Sequence, residues 1–264
     1  MHEARVCRRF YLRKDYKITM KNCLIYQPCG LGDIIWLQPM VDKLISDGYT
    51  IYYPVIDLYY DMLKEQMPKD NLIWLKESEN FPMKSFYGTH VTRNDENNLY
   101  LPISFANYYL QKCSVMISKY YYMNMPITNW HKNVNIKRNI EKENRLIKAY
   151  EIDVSTPFAL INMVYGTPPN HVARAMSLNS DVNQLIHMSF EKDREHGFTL
   201  FDWIGVIELA TEIHTVETSL CYLVDMFAKT DKIFMYEKRR ESEQHTYYGL
   251  VNLVYRNPNW SYLN

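Results

Sequence analysis

The sequence predicts an α/β protein with two Rossmann-like halves that face each other across a cleft. Apolar runs of strand length alternate with stretches of helical periodicity, an order typical of parallel sheets covered by helices. The alternation occurs once on each side of an Asn-rich stretch at 124–137, which contains Pro126 and has little periodicity. A chain of 264 residues is long enough for two such halves.

The predicted first half begins with a buried strand and an amphipathic helix whose apolar residues fall on one face. Gly48 marks the end of that helix, and Pro68 the end of the next one. The predicted elements are strand Asn22–Gln27, helix Asp33–Ser46, strand Tyr49–Ile56, helix Asp57–Gln66, strand Asn71–Leu75, a possible strand Asn98–Ile103 and helix Ser114–Met123.

The predicted second half repeats this order. Its elements are helix Arg138–Tyr150, strands Phe158–Val164 and Leu185–Phe190, helix Phe201–Thr211, strand Ile213–Val216, helix Thr218–Ala228 and strand Lys232–Tyr236. We therefore divide the chain into a basic leader or linker at 1–19, a first Rossmann-like domain at 20–130 and a second at 131–264. In open parallel sheets ligands bind beyond the carboxyl ends of the strands, so the two halves are expected to share one cleft.

Composition excludes several classes of function. Thirty basic and thirty acidic side chains cancel, which argues against a general nucleic-acid binder. The five cysteines are odd in number and form no Cys-x-x-Cys, so neither a disulfide framework nor a zinc site is predicted, and a reducing, cytoplasmic compartment is expected. No apolar run approaches the ~20 residues of a membrane span. The 23 tyrosines have two open explanations, codon bias or a carbohydrate-facing surface.

A glycine-rich loop joins the first predicted strand to the first helix. Gly30 and Gly32 allow a tight turn and close approach by a ligand, and Asp33 stands at the helix entrance. Three interpretations remain open: a structural turn with Asp33 as N-cap, a dinucleotide fingerprint, or a catalytic aspartate at the mouth of the cleft. The dinucleotide fingerprint lacks its third glycine, because Ile35 occupies that position, and only Asp57 lies near the end of the second strand.

A second motif follows the strand Ile213–Val216. Thr218 and Ser219 can cap the next helix and offer hydroxyls, and the N–H groups behind them can hold a diphosphate. Glu217 can accept hydrogen bonds from ribose hydroxyls. The alternative is an ordinary capped helix with solvated carboxylates.

Together the two motifs resemble the inverting glycosyltransferases of the GT-B fold, most closely the heptosyltransferase-like family nine. Members open with a strand, then Gly-x-Gly-Asp, then a helix with an early proline. Here these residues are Gly30, Gly32, Asp33 and Pro39.

The second half of the chain carries the other part of the resemblance. Members have a helix ending in Ala, a short strand, and an Asp-Thr-Ser/Gly turn. Here Ala210 precedes the turn formed by Glu217, Thr218 and Ser219, with Glu in place of Asp.

The sequence departs from the family at two further places. Members carry a lysine after the first strand of the second domain, and it contacts the donor phosphates. The corresponding stretch 165–174 has no lysine, and Arg174 or His171 is expected to take its place, with Thr167 as a further donor-binding candidate there. The His-Leu-Ala that usually follows the turn is Tyr-Leu-Val at 222–224.

The resemblance implies transfer of a sugar from a nucleoside diphosphate sugar to a hydroxyl of a glycan acceptor, with inversion. It makes Asp33 the general base, and it implies Gly30, Gly32 and the turn Glu217, Thr218 and Ser219 as donor-binding residues. It implies no cofactor and no metal. The Asp33 carboxylate is expected to face that turn across the cleft between the two halves.

Two other functions stay open. A nucleotide-dependent oxidoreductase or epimerase would keep the third glycine and would need a proton donor such as Tyr-x-x-x-Lys. The stronger alternative is a non-catalytic GT-B-like module that binds a glycan or a nucleotide within a larger protein.

Overall fold

The computed structural model describes residues 21–108, 115–126, 131, 134–165, 172–173, 178, 180, 182–236 and 259–263. Within them the chain forms two five-stranded sheets and one two-stranded ribbon. The predicted α/β class is confirmed, because each half is a mainly parallel sheet with helices packed on it. The predicted leader 1–19 lies outside the described residues, and the domain limits 20–130 and 131–264 stay predictions.

The strands of the first half are β1 Lys21–Ile25, β2 Tyr49–Val55, β3 Leu72–Lys76, β4 Arg93–Asn94 and β5 Asn98–Leu101. Its helices are α1 Leu31–Trp36, α2 Gln38–Ser46, α3 Asp57–Gln66 and α4 Val115–Tyr122.

The strands of the second half are β6 Phe158–Asn162, β7 Val164–Tyr165, β8 Val172–Ala173, β9 Gln184–His187, β10 Glu212–Val216, β11 Ile233–Tyr236 and β12 Trp260–Leu263. Its helices are α5 Ile140–Ala149, α6 Phe190–His196, α7 Ile204–Leu209 and α8 Leu220–Phe227, and a 3-10 turn, Leu200–Trp203, precedes α7.

The first sheet has the strand order β3-β2-β1-β5-β4, in which only the β4–β5 pair is antiparallel. From β1 the chain moves outward to β2 and β3 and then returns to the other side of β1. The strand order therefore reverses between β1 and β5, and a crevice is expected at the carboxyl ends of these two strands. The glycine loop begins there, directly after β1.

The second sheet has the order β12-β11-β10-β6-β9, with every pair parallel. Here the chain moves from β6 to β9 and then crosses to β10 on the other side. The reversal between β6 and β10 brings Asn162, at the end of β6, beside the turn Glu217–Ser219, which follows β10. Each of the two predicted motifs thus lies at the switch point of its own sheet.

The predicted helix Asp33–Ser46 is wrong in two details. It begins at Leu31, and Leu37 divides it into α1 and α2. Pro39 has no N–H to donate to the carbonyl of Ile35, which interrupts the helical hydrogen bonds here, and the side-chain amide of Gln38 donates to the neighbouring carbonyl of Ile34 at 2.9 Å.

The predicted strand Leu185–Phe190 is wrong in its second part, where the structure has the start of helix α6. The strand β9 stops at His187, and Ser189 caps α6 by accepting from the N–H of Lys192. Gly197, in the left-handed conformation at φ 72°, ends the helix. Ser189 and Gly197 are typical residues for the two ends of a helix, whereas the apolar run at 185–190 indicates a strand.

The two halves are in direct contact where α1 meets α8. The rings of Trp36 and Tyr222 lie 6.0 Å apart, and one continuous apolar core includes both. Gln66, at the end of α3, reaches into the second half and contacts Thr199 and Asp202. None of the helices in the described part of the chain is long and apolar enough to span a membrane.

Candidate functional site

The loop after β1 is shaped by Gly30, whose φ of 77° is in the left-handed region. Asp33 is not the N-cap: Gly30 holds that position, and Asp33 is the third residue of α1. A Cβ on Gly30 would overlap the Oδ2 atom of Asp33. Gly30 therefore provides both the backbone conformation and the space that the Asp33 carboxylate occupies.

Asp33 forms an ion pair with Lys119 of α4. The side chain of Lys119 is only 1% exposed and that of Asp33 is 28% exposed, so solvent reaches the carboxylate and not the ammonium group. Lys119 also donates to Oε1 of Gln27 at 2.8 Å, and Ser104 donates to the same oxygen at 3.2 Å. Lys119 contacts Oδ1 of Asp33, and Oδ2 has no hydrogen-bond partner among the described residues.

The charge of Asp33 acts on the weak acids around it. Burial raises the pKa of the Tyr53 phenol well above its usual value, and the Asp33 carboxylate adds to the rise. The pKa of the exposed Cys29 thiol is raised by partial burial and by the charges of Asp33 and Glu77, while Lys119 opposes the rise. Both groups are therefore expected to stay protonated beside the Asp33 carboxylate.

The switch point of the second sheet is organised by Asn162. Its Nδ2 donates to Oγ1 of Thr215 at 3.1 Å and to Oγ1 of Thr218 at 3.0 Å. Ser219 occupies the N-cap position of α8 but makes no capping hydrogen bond with its side chain, contrary to the expectation from sequence. Among the described residues, the hydroxyl of Ser219 and the N–H of Leu220 are thus left for another acceptor, whereas the N–H groups of Cys221 and Tyr222 already donate to the carbonyls of Thr218 and Ser219.

The glycine loop and the second motif touch each other at Gly32. A Cβ there would lie 2.7 Å from Cε2 of Tyr222 and 3.4 Å from Cα of Ser219. The expected gap between Asp33 and the turn is therefore closed at the backbone of α1, and the carboxylate contacts Lys119 within its own half.

A cleft with a volume of about 310 Å³ opens beside this contact. Both halves line it, and its wall is mostly apolar with a few polar groups. The lining residues are Leu31, Leu58, Tyr59, Met62, Asn162, Val164, Met188, Phe190, Asp193, Arg194, Phe198, Thr199, Leu200, Thr218, Ser219 and Leu220. Pockets with this composition are typical of small-molecule sites.

Only some of the predicted site residues line this cleft. Thr218 and Ser219 line the cleft, while Asp33, Gly30 and Glu217 are not among its lining residues. Three predicted donor-binding residues of the second half lie outside the described residues: Thr167, His171 and Arg174.

Sequence reasoning missed four residues of this region: Lys119, Gln27, Asn162 and Asp193. Asn162 carried a signal, since it is the polar end of a buried strand. Lys119 and Asp193 carried none, because each lies in a helix far along the chain from its partners.

The part of the chain that the structure describes contains neither a cluster suited to a metal ion nor a disulfide bond. It contains no group of three or more His, Cys, Asp or Glu side chains placed to hold a metal ion. The described cysteines Cys23, Cys29 and Cys221 are free thiols.

No protein-family model matches this sequence, and no curated protein matches it. Several solved structures are similar in fold. A family 9 glycosyl transferase from Veillonella parvula is 9% identical, with 83% of this chain and 81% of that chain covered and a TM-score of 0.48. The ADP-heptose LPS heptosyltransferase II of Escherichia coli is 11% identical, with 92% and 90% covered and a TM-score of 0.47.

A dodecameric, iron-containing glycosyltransferase from enterotoxigenic E. coli is 10% identical, with 93% of this chain and 63% of that chain covered and a TM-score of 0.46. At these identities the similarity concerns the fold, so we argue the function from the residues of the site.

Proposed function

We propose that this protein is an inverting glycosyltransferase, which moves a sugar from a nucleoside diphosphate sugar to a hydroxyl of a glycan acceptor. The observation that carries the proposal is the meeting of two sheet switch points at one contact, Gly32 against Ser219, beside a cleft lined by both halves. One switch point provides a carboxylate and the other provides hydroxyls and a helix N-terminus.

The second half is the donor side of the proposed site. The N–H of Leu220 at the start of α8 and the hydroxyls of Thr218 and Ser219 suit a diphosphate, which gains negative charge as it leaves. Asn162 orients Thr218 through a 3.0 Å hydrogen bond. Arg194 is the basic residue of the described lining, and Thr167, His171, Arg174 and Glu217 remain candidates for donor contacts.

Asp33 is the proposed general base. Lys119 holds Oδ1, which leaves Oδ2 to accept a proton. As the acceptor oxygen bonds to the anomeric carbon, its proton passes to Oδ2. At the same time the bond between that carbon and the diphosphate oxygen breaks, and its electron pair leaves with the diphosphate. Closure of the cleft would exclude water from this step.

We propose that the reaction needs no cofactor and no metal ion, and that it takes place in the cytoplasm. Transfer is therefore expected to persist in the presence of a metal chelator. The free thiols of Cys23, Cys29 and Cys221 are consistent with a reducing compartment.

The test is the variant Asp33→Asn, assayed by the release of nucleoside diphosphate from a panel of donors with glycan acceptors. We expect a loss of at least ~100-fold, the usual scale for a lost general base. The amide oxygen of Asn can still accept from Lys119, but the buried ammonium group loses its counter-charge, so turnover is compared only in protein whose circular dichroism matches that of the parent. Asp61→Asn, at an exposed position of α3, is the matched control. Unchanged turnover in a folded Asp33→Asn protein would remove Asp33 from the reaction.

A non-catalytic module is the second candidate, and the ion pair between Asp33 and Lys119 favours it, because a paired carboxylate is a normal structural element. Titration with nucleoside diphosphates separates the possibilities. A scaffold binds none of them, a nucleotide-binding module binds one without turnover, and a transferase binds one and turns over its sugar conjugate.

A further inference from the structure

The wall of the cleft contains a carboxylate that the proposed reaction does not use. Asp193, in α6, accepts a hydrogen bond from the Tyr150 hydroxyl at Oδ1, at 2.7 Å, and another from Trp203 Nε1 at Oδ2, at 2.9 Å. Each carboxylate oxygen can accept two hydrogen bonds, so one site remains on each. Asp193 forms no ion pair within the described part of the chain.

These two donors hold the plane of the carboxylate in one orientation. Both Tyr150 and Trp203 are neutral, so they orient Asp193 without cancelling its charge. Burial raises the pKa of Asp193, and the two hydrogen bonds oppose that rise. The result is a fixed, acceptor-only group in a largely apolar wall, where the loss of a partner is costly.

Aromatic rings surround this acceptor. Phe190 lies one helical turn before Asp193, and Phe198 follows the end of α6; both line the cleft. His196 stacks on Phe198 with ring centroids 5.6 Å apart and an interplanar angle of 25°. A wall of flat rings that contains one rigid carboxylate suits a flat, aromatic ligand with N–H donors at its edge.

We propose that Asp193 reads the base of the donor nucleotide and that this base is guanine. The inference rests on the proposed function, since it assigns the nucleotide of the same cleft. Guanine has two adjacent donors, N1–H and the 2-amino group, which match the two free acceptor sites of the carboxylate.

The other common bases fit less well. Adenine and cytosine place a ring-nitrogen lone pair next to their amino group, and uracil has a single N–H between two carbonyl oxygens. Each of these bases would put an acceptor against Asp193. A site built around paired hydrogen bonds discriminates strongly against a ligand that leaves one of them unmade.

The experiment is a calorimetric titration of the full chain with GDP, ADP, UDP, CDP and IDP. IDP is the sharpest probe, because its base keeps N1–H and lacks only the 2-amino group. We expect GDP to bind at least ~10-fold more tightly than each of the others, as lost hydrogen bonds to a charged group imply.

Two variants test the residue itself. Asp193→Asn replaces one acceptor by a donor and should weaken GDP binding at least ~10-fold while reducing the preference for GDP over IDP. Glu195→Gln, at an exposed position of the same helix, should leave both affinities unchanged. If Asp193→Asn does not fold, the comparison of GDP with IDP on the unaltered protein still decides.

The outcomes separate the two proposals. If UDP, ADP or IDP binds as tightly as GDP, or if folded Asp193→Asn binds GDP normally, the assignment to Asp193 is overturned and the transferase proposal stands. If no nucleotide binds, the proposed function is itself overturned.

Discussion

At the residue scale, the site depends on an asymmetric ion pair. Lys119 is buried and Asp33 is partly solvated, so the two partners depend on each other to different degrees. A buried ammonium group without its carboxylate is costly, whereas an exposed carboxylate without its lysine can turn to water. Asp33 therefore helps to hold α4 against the glycine loop whether or not it acts as a base.

Gly30 allows a prediction about this pair. Gly30→Ala should destabilise the protein, because Cβ would be strained at φ 77° and would also overlap the Asp33 carboxylate. Gly88→Ala is the control: its φ of 82° carries the same backbone strain, but a Cβ there meets nothing within 4 Å.

Urea unfolding measures both variants. We expect the shared backbone strain to lower the free energy of unfolding by about 1–2 kcal/mol in both variants. In Gly30→Ala alone, the overlap with the carboxylate should lower it further. Equal losses in the two variants would show that the carboxylate is free to move away from Gly30.

At the element scale, the strand β10, which leads into the turn Glu217–Ser219, contains a buried histidine. His214 stacks on Phe234 with centroids 4.7 Å apart, and its Nδ1 lies 3.2 Å from the Tyr236 hydroxyl. Its Nε2 lies 3.5 Å from Oε2 of Glu212. Burial lowers the pKa of His214 from its ordinary 6.5, and Glu212 opposes the shift.

This shift makes stability depend on pH. The unfolded chain protonates His214 more readily than the folded chain, so stability falls as the pH drops below 6.5 until the folded state also binds the proton. His214→Gln should remove this part of the decrease. His187→Gln, on the exposed end of β9, should not change it. Thermal unfolding between pH 5 and 8 measures the effect, and parallel curves for His214→Gln and the parent protein would contradict it.

At the scale of the whole molecule, the halves are joined by α1 against α8 and by Gln66. The side chain of Gln66 is 1% exposed. Its Oε1 accepts from Thr199 Oγ1 at 3.2 Å, and its Nε2 donates to Oδ1 of Asp202 at 3.5 Å. The main-chain carbonyl of Gln66 accepts from the N–H of Lys137 at 2.7 Å. This cluster holds the second half beside the cleft.

Gln66→Leu should therefore lower the free energy of unfolding by about 1–3 kcal/mol, because it removes the partner of the buried Oδ1 atom of Asp202, whereas Oδ2 keeps its hydrogen bonds from Thr199. Glu65→Gln is the matched control on the same helix. Its 3.6 Å ion pair with Lys142 is at the surface and should contribute less than about 1 kcal/mol. Similar losses for both variants, measured by chemical denaturation, would count against this role for Gln66.

Local signals in the sequence determined the fold class, the positions of most strands and the two motifs. Burial on both faces forces a parallel strand to be apolar throughout, and glycine, proline and capping residues mark where elements end. Helix α3 was predicted with its observed bounds, Asp57–Gln66, because Pro68 and the apolar spacing agree. Where two local signals competed, as at α6, the sequence favoured the wrong one.

Only the tertiary structure decided which residues share a site. Lys119 reaches Asp33 across 86 positions of the chain, and Tyr150 reaches Asp193 across 43. Such pairs produce no repeating pattern in the sequence. A contact between two elements needs only one suitable residue on each of them. The closed contact at Gly32 and the open cleft beside it likewise depend on how two sheets pack, which no local pattern encodes.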